Sequence, residues 1–592
     1  MKLRLSVLAL SLSLGLALAF CASVAVAQPA EPVGVSADSR TMSVVNQPVA
    51  NGRETLRINI GAYPDLIDPQ KSSFNNEIAH LGHIYEGLTR LSTQLATVPG
   101  AAQGWVYSPD ATVLTFTLRP GLLYSDGTLL NAPRYRYSIL RNIDPTTRGE
   151  YRTITDEIVG AVAWRTADVA HLTPEQLAAL KAAVEVRALD AAGNACTSYA
   201  QADCLTLRLM FTAPAPYFHT IMSLWVTYPA KEELIVAGGD TWWQVPGNHI
   251  GNGPFILQTL TPHDRAYFTP NTHYWRGAAT YDVEYHYLTD SAQALAAYRS
   301  HQLDVITPSP ADMAAIRADP TLSKELLTYS GSCSFAIMFH NLKPPFTDPK
   351  VRQAFAYALD RNAWVRDVLG GSGLPTLTWI PPGYPGYDAA ENRWAYNPVS
   401  ATQAISASGY GSIAALPPIS LTFSSSARNL ARNQWLADQW RAVLGVSLTL
   451  NPVDPTTYTE LTKDVRTAPQ TYILGWCADY ADPQNWLSVY WRTGAFAARI
   501  GYSNPALDAL MRQADAEPDP LRRAQLYADA QRMLIADCPV AFAWNNINTF
   551  LVKSRVKGVV TTPQDKWPGW HDPLAITVEP WKKVYLPLVL RN

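Results

Sequence analysis

Charge is scarce in this sequence and balanced in sign. Only 16% of its 592 residues are charged, against about 25% in ordinary soluble domains, and the formal net charge is −2. No basic field awaits a nucleic acid, and no acidic tail stands out. Cysteine is sparse too, at six residues, none in a CxxC pair or a Cys/His cluster with zinc spacing. No Gly-x-Ser-x-Gly elbow supports Ser/His/Asp catalysis, and no Walker loop is present. Beyond the first 27 residues, no apolar run approaches the roughly 20 residues that span a bilayer. The apolar tail, residues 583–592, is far too short; it packs on the body or sticks to a partner.

What is present is apolar and aromatic. Hydrophobic residues make up 47% of the chain, enough for a large core, which excludes a mainly disordered protein. At about 150 residues per domain the length suggests three or four lobes. The 18 Trp and 29 Tyr suit a protein that holds ligands on flat amphipathic surfaces, although core packing accounts for most of them.

Residues 1–27 read as a signal peptide: Lys2 and Arg4 precede an apolar stretch and a small-residue cleavage site at Ala25-Val26-Ala27. Its removal takes the net charge from −2 to −4. Leu18-Ala19-Phe20-Cys21 has lipobox spacing, but bulky Phe20 stands where a small residue is wanted, which argues against a lipid anchor. The expectation is an exported protein, periplasmic or on the outer face of the cytoplasmic membrane. Disulfides are then the default use of its cysteines, with one of the remaining five left over.

Residues 28–52 read as a flexible leader. Alternation predicts strands at 56–60, 113–118 and 206–211, and after Asn252-Gly253-Pro254 at 255–260. A second strand is expected between Arg119-Pro120-Gly121 and Ser125-Asp126-Gly127. Spacings of three and four predict helices over 76–91, 174–186, 291–300, 351–369, 430–444 and 521–535, with strands at 303–306, 446–450 and 472–476. Cys196 to Cys204 looks like a stapled loop. Strands and helices intermingle without a strict alternation, which indicates an α/β or α+β body of several lobes.

Several segments in order carry a more specific likeness. They are Asp68-Pro69 and Tyr85-Glu86-Gly87-Leu88; Thr115 to Arg119 with Ser125-Asp126-Gly127-Thr128; Gly251-Asn252-Gly253-Pro254-Phe255; Asn271 with Tyr274-Trp275; Pro344-Pro345-Phe346-Thr347-Asp348 with Leu359-Asp360-Arg361; and Trp476-Cys477-Ala478-Asp479-Tyr480. On these residues, over about 53–582, the chain resembles the extracytoplasmic solute-binding proteins of peptide-type ABC importers, most closely the oligopeptide-binding branch. The resemblance implies an α/β, two-lobed periplasmic-binding-protein clamp of class II type with an extra third domain. Lobe I would comprise 53–86, 229–332 and 546–582, the extra domain 87–228, and lobe III 333–545. It also implies a Cys333–Cys477 disulfide, leaving Cys196 with Cys204 and Cys538 as a buried thiol. The implied activity is binding, not catalysis: a monomer without cofactors that takes a short peptide to a permease and its ATPase subunits.

The resemblance gives Asp479 the ligand's α-ammonium, a role that suits a carboxylate in a poorly hydrated cleft; alone, Asp479 would read as a turn or cap. Gly475, Trp476 and Cys477 can offer main-chain bonds to an extended ligand, or form an ordinary core strand. Phe74 and Asn75 occupy the first-lobe contact, but Ser72-Ser73-Phe74-Asn75 lacks the family's glycine pattern. Asn131-Ala132-Pro133-Arg134 similarly lacks the family's usual helix start, at the cost of a capping box. Tyr151, Trp379 and Trp486 are candidates to line side-chain pockets, with core packing as the alternative. Glu77, His80 and His83 have helical spacing that can hold a metal, yet such a cluster is usually solvated surface, and no metal is expected. For the ligand's carboxyl end, Ile473 and Leu369 stand where the branch carries basic residues, so that end is expected to stay in water or to find Arg428 or Arg432. The competing functions are carriage of a sugar, nickel chelate or other small solute in the same fold, and a secreted enzyme or structural surface protein.

Overall fold

The computed structural model describes residues 52–581. The signal peptide, Cys21, nearly all of the leader and the apolar tail lie outside the described residues. Helices and strands alternate irregularly around one mixed 11-stranded sheet. Across that sheet, in spatial order, run Leu448–Val453, Ile419–Ser424, Thr471–Cys477, Leu326–Phe339, Val540–Val552, Val305–Ile306, Thr55–Asn59, Asp282–His286, Arg265–Pro270 and Phe255–Thr261, while Gly373–Pro375 joins beside Val540–Val552. This is the α/β class expected.

Two strands are much longer than the rest, Leu326–Phe339 and Val540–Val552. One end of the antiparallel pair faces Val305–Ile306, and the other faces Thr471–Cys477. Their pairing slips in the middle: Ser330 faces Ile547, but Ser334 faces Asn545. The Asn546 side chain fills the irregularity, its Oδ1 accepting the Cys333 N–H at 2.7 Å. Gly331 leaves room for it, since a Cβ there would come within 2.2 Å of that amide. Bulges of this kind bend and twist a strand pair locally.

The apolar cores follow these two ends. One continuous core joins Leu56, Ile58, Tyr85 and Tyr285 to Leu114, Phe116, Tyr135 and Trp225. It therefore covers both sequence stretches that the resemblance assigns to lobe I and to the extra domain. Two further cores flank the sheet at its other end, around Trp379, Trp486 and Tyr490, and around Phe339, Phe355 and Trp440. A four-stranded antiparallel sheet, Ala102–Tyr107, Val113–Leu118, Thr206–Met210 and Val186–Leu189, lies within the first of these regions.

Several signature motifs turn out to be scaffold. Glu86 is buried, and its carboxylate accepts the Tyr274 hydroxyl at 2.7 Å and the Trp275 indole N–H at 2.5 Å. The Asn252 amide closes on the Glu86 backbone, its Oδ1 accepting the N–H and its Nδ2 donating to the carbonyl. Gly251 and Gly253 flank it because a Cβ at either would strike the backbone of Ile84. Asp68 takes a bidentate pair from Arg141 at 2.6 Å and the Trp242 indole N–H at 2.9 Å. Asn131 is buried, and its Nδ2 donates to Ser198 and Gln201 carbonyls, anchoring the Cys196–Cys204 loop rather than capping a helix.

Three expected elements are revised. The helix expected over 76–91 is Asn75–Ile84; Tyr85 is extended, and Thr89–Leu91 is a strand. Beyond the helix end, Gly87 lies so close to the neighbouring backbone that a Cβ would come within 2.2 Å of the Met222 carbonyl oxygen. After residues 119–121 there is only an isolated bridge, Leu123 with Leu129, not a strand. The helix expected over 351–369 is broken at Leu359-Asp360. The break lets buried Arg361 donate to the carbonyls of Ala356, Leu359, Trp394 and Phe542, while the Asp360 carboxylate caps Ala363.

Candidate functional site

The strand Thr471–Cys477 is held along one edge by Leu326–Phe339, from Thr471 opposite Phe339 to Cys477 opposite Cys333. Those two cysteines are disulfide-bonded, which pins the end of the strand. On its other edge only Thr471 pairs with a neighbouring strand, at Leu421. The chain then turns, and Asp479 projects into a cavity of about 340 Å³. The start of the helix Asn75–Ile84, Lys566, Trp570, Tyr151, Trp225 and Arg90 line the same cavity.

Asp479 is built in with care. Its Oδ1 accepts the Tyr151 hydroxyl at 3.0 Å, and its Oδ2 accepts Nδ2 of Asn485 at 3.3 Å. Asn485 is itself fixed, because its Oδ1 takes the Asp479 N–H and the Trp476 indole N–H, both at 3.2 Å. No basic side chain lies within ion-pairing distance of Asp479 among the described residues. Burial raises its pKa, and the Asn485 and Tyr151 bonds and the Lys566 charge only partly offset this. A carboxylate so placed gains from any ammonium brought to it.

The other expected site residues divide. Phe74, Asn75, Tyr151 and Cys477 line the same cavity as Asp479. Phe74 is 60% exposed, an open aromatic face at the cleft. The main chain beside it is already engaged: the N–H groups of Ser73 and Phe74 both donate to Oε2 of Glu77, at 2.8 and 3.0 Å, and the Ser72 carbonyl takes the Trp225 indole. Gly475 and Trp476 stand just outside the lining. Gly475 packs under Phe335, whose ring a Cβ would strike at 2.5 Å, and Trp476 packs on Tyr490 and Phe496.

Trp379 and Trp486 are corrected. Both are fully buried in an apolar core, against each other and against Tyr490, Trp491, Tyr384 and Phe542. Their indoles fill that core instead of a ligand pocket. The triad Glu77, His80 and His83 is buried, not solvated surface. His80 is held by the Asn76 carbonyl at 2.6 Å and the Tyr287 hydroxyl at 2.8 Å, and His83 is enclosed by Phe255, Phe268, Tyr285 and Trp567. Among the described residues no group of three His, Cys, Asp or Glu can hold a metal ion. Leu369 is buried in apolar surroundings and Ile473 packs against the same core. Arg428 is exposed, Arg432 half-buried. The thiol of Cys538 is buried and pushed up to about 12.

One residue escaped the sequence reading. Lys566 lines the cavity with Asp479 and donates to Oδ1 of Asn75 at 2.8 Å, a partner 491 positions away. Burial lowers its pKa to about 8, with Asp479 and Asp565 acting against that shift. Nothing local in Gln564-Asp565-Lys566-Trp567 marks it out.

Comparison with known proteins agrees with this architecture. The family described as bacterial extracellular solute-binding proteins, family 5 Middle, matches residues 96–498. The periplasmic murein peptide-binding protein MppA of Escherichia coli (strain K12) is 26% identical over 528 residues, covering 87% of this chain and 92% of that protein. The periplasmic oligopeptide-binding protein OppA of the same strain is 26% identical over 521 residues, covering 86% and 90%. Among solved structures, the unliganded open form of the MppA murein tripeptide-binding protein superposes with a TM-score of 0.74 at 24% identity, covering 89% of this chain and 98% of that one. The shared fold is the two-lobed binding-protein clamp with an additional domain.

Proposed function

Since the chain belongs to the bacterial extracellular solute-binding proteins of family 5, we propose that it is the receptor of an ABC importer and captures short peptides by their amino end. The observation that carries this reading is Asp479, a carboxylate in the cavity, oriented by Tyr151 and Asn485 and lacking an ion-pair partner among the described residues. An ammonium completes it. On the outer edge of Thr471–Cys477 the Ile473 carbonyl is taken by the Tyr458 hydroxyl at 2.6 Å, which leaves the stretch beyond it for main-chain bonds to an extended ligand, bonds that tolerate many side chains. Phe74 then offers an apolar face to one of them.

The long strands Leu326–Phe339 and Val540–Val552 serve as the hinge, flexing at the slip between Ser330 and Ser334. Lobe I is formed by 53–86, 229–332 and 546–582, the extra domain by 87–228, and lobe III by 333–545. Closing brings Asp479 over the ligand, and the closed form is the one that a permease, powered by its ATPase subunits, recognises. The protein is exported on its signal peptide and works as a monomer in the periplasm or at the outer face of the membrane.

Mass spectrometry of the solute that copurifies with the protein tests the ligand class. A mixture of short peptides is the expected result; a single sugar, metal chelate or other small molecule overturns it. Small-angle scattering with and without saturating peptide tests closure, for which the radius of gyration must fall.

A further inference from the structure

The cavity contains a cation that an amino-end anchor alone does not explain. Lys566 lines the same space as Asp479. One of its three N–H donors is spent on Asn75. Its neighbour Asp565 is occupied elsewhere, accepting from His571, Thr562 and Gly569. No carboxylate lies within ion-pairing distance of Lys566 among the described residues. Its aromatic neighbour Trp570 is remote, with the ring centroid 5.9 Å from the ammonium.

The charges impose a condition on the ligand. A peptide that brings only its α-ammonium would add another cation to a cavity that Lys566, Arg90 and Arg276 already line, against the carboxylates of Asp479 and Glu86. A partly buried ammonium left unbalanced is costly, whereas a carboxylate placed beside it forms a strong, charge-assisted bond. An acidic first residue carries both groups on one short unit: the ammonium for Asp479 and a side-chain carboxylate a few bonds away. Both charges line one cavity, and each acts on the other, so a single short unit can meet both.

We propose that Lys566 is a specificity-determining residue that reads an acidic side chain at the first position of the bound peptide, so that the receptor favours peptides beginning with Glu or Asp. This rests on the reading of Asp479 as the amino-end anchor. The alternative role for Lys566, as a stand-in ammonium that neutralises Asp479 until a ligand displaces it, predicts the opposite response to its removal.

Calorimetry on the full mature protein with the peptides Glu-Ala-Ala, Gln-Ala-Ala and Ala-Glu-Ala separates these outcomes. Glu-Ala-Ala is expected to bind about tenfold or more tighter than Gln-Ala-Ala, as a charged hydrogen bond implies, and tighter than Ala-Glu-Ala. In Lys566→Met the Glu/Gln ratio should fall to near unity, and in Lys566→Arg it should persist. Equal binding of Glu-Ala-Ala and Gln-Ala-Ala by the unaltered protein overturns the proposal while leaving the peptide reading intact. So does a uniform gain in affinity for all three peptides in Lys566→Met, or stronger binding of Ala-Glu-Ala. Failure of every peptide to bind overturns the peptide reading itself, and this inference with it.

Discussion

The hydroxyl of Tyr151 donates to Oδ1 of Asp479 at 3.0 Å, joining residues 328 positions apart in sequence. The bond links a loop after the helix Ala132–Asn142 to the end of the strand Thr471–Cys477. It fixes the direction in which the carboxylate faces the cavity. Burial raises the pKa of both groups, and each also acts on the other: the Asp479 charge raises Tyr151, and the Tyr151 bond lowers Asp479.

If Asp479 anchors the amino end, Asp479→Ala should weaken peptide binding by about 2–5 kcal/mol, since it strands the ligand's ammonium in the cleft. Acetylating the peptide's amino end should cost as much. Tyr151→Phe should cost about 1 kcal/mol, the worth of one hydrogen bond. Amidating the carboxyl end should change little, because Leu369 and Ile473 pack into apolar surroundings. Calorimetry on one peptide in its free, acetylated and amidated forms, with the free form repeated on both variants, checks all four. A strong loss on amidation, with acetylation harmless, would mean the ligand lies the other way round.

The Cys333–Cys477 bridge spans 144 residues, and Cys196–Cys204 spans eight. In the chain-entropy treatment the first is worth about 5 kcal/mol as an upper figure, and the second about half as much. Cys333→Ser/Cys477→Ser should therefore lower the urea midpoint more than Cys196→Ser/Cys204→Ser does. The first pair should also weaken ligand binding, because it releases the strand end next to Asp479. Cys538 should resist thiol reagents until the protein unfolds; non-reducing peptide mapping that finds it bridged would refute the pairing.

His80 and His83 should make the fold sensitive to acid. Burial depresses both to about 3, whereas an unfolded histidine titrates near 6.5. Between those values the unfolded chain binds the extra protons, so stability is full above about pH 6.5 and falls as the pH is lowered towards 3. At pH 4.5 each histidine should cost about 2–3 kcal/mol relative to pH 7. His83→Leu, which keeps the apolar contacts, should flatten this limb in urea titrations at the two pH values. An equally steep acid limb in that variant would refute the assignment.

Glu157 should act in the opposite direction. Burial lifts it to about 7, with Asp156 and Asp515 adding to the rise and a hydrogen bond from Tyr217 opposing it. The folded state keeps this proton where the unfolded chain has lost it, so its contribution is intact below about pH 4.5 and is lost as the pH rises through 7. Glu157→Gln should gain about 2 kcal/mol over the parent protein at pH 8, a figure reduced for solvent screening at a half-buried group, and gain little at pH 4.5. Thermal melts at both pH values provide the comparison.

Local chemistry in the sequence was enough for the strands at 56–60, 113–118 and 472–476, for the stapled loop from Cys196 to Cys204 and for the general class of fold. Alternation and turn residues act over a few positions, so a single chain displays them. The motifs around Asp68, Glu86 and Asn252 were legible only through the family resemblance; that each supplies a polar group satisfied in the interior came from the structure. Tertiary structure decided the rest. Helical periodicity continued through residues 85–91 and 359–360, but Tyr85 is extended and Thr89–Leu91 pairs as a strand, while Arg361 beyond the second break is buried among four carbonyls. Composition could not tell a pocket tryptophan from a core one, and packing sent Trp379 and Trp486 to the core. The meeting of Asp479 with Tyr151 and Lys566 has no sequence signature, because each residue belongs to a distant segment and only closure of the chain around one cavity brings their charges together.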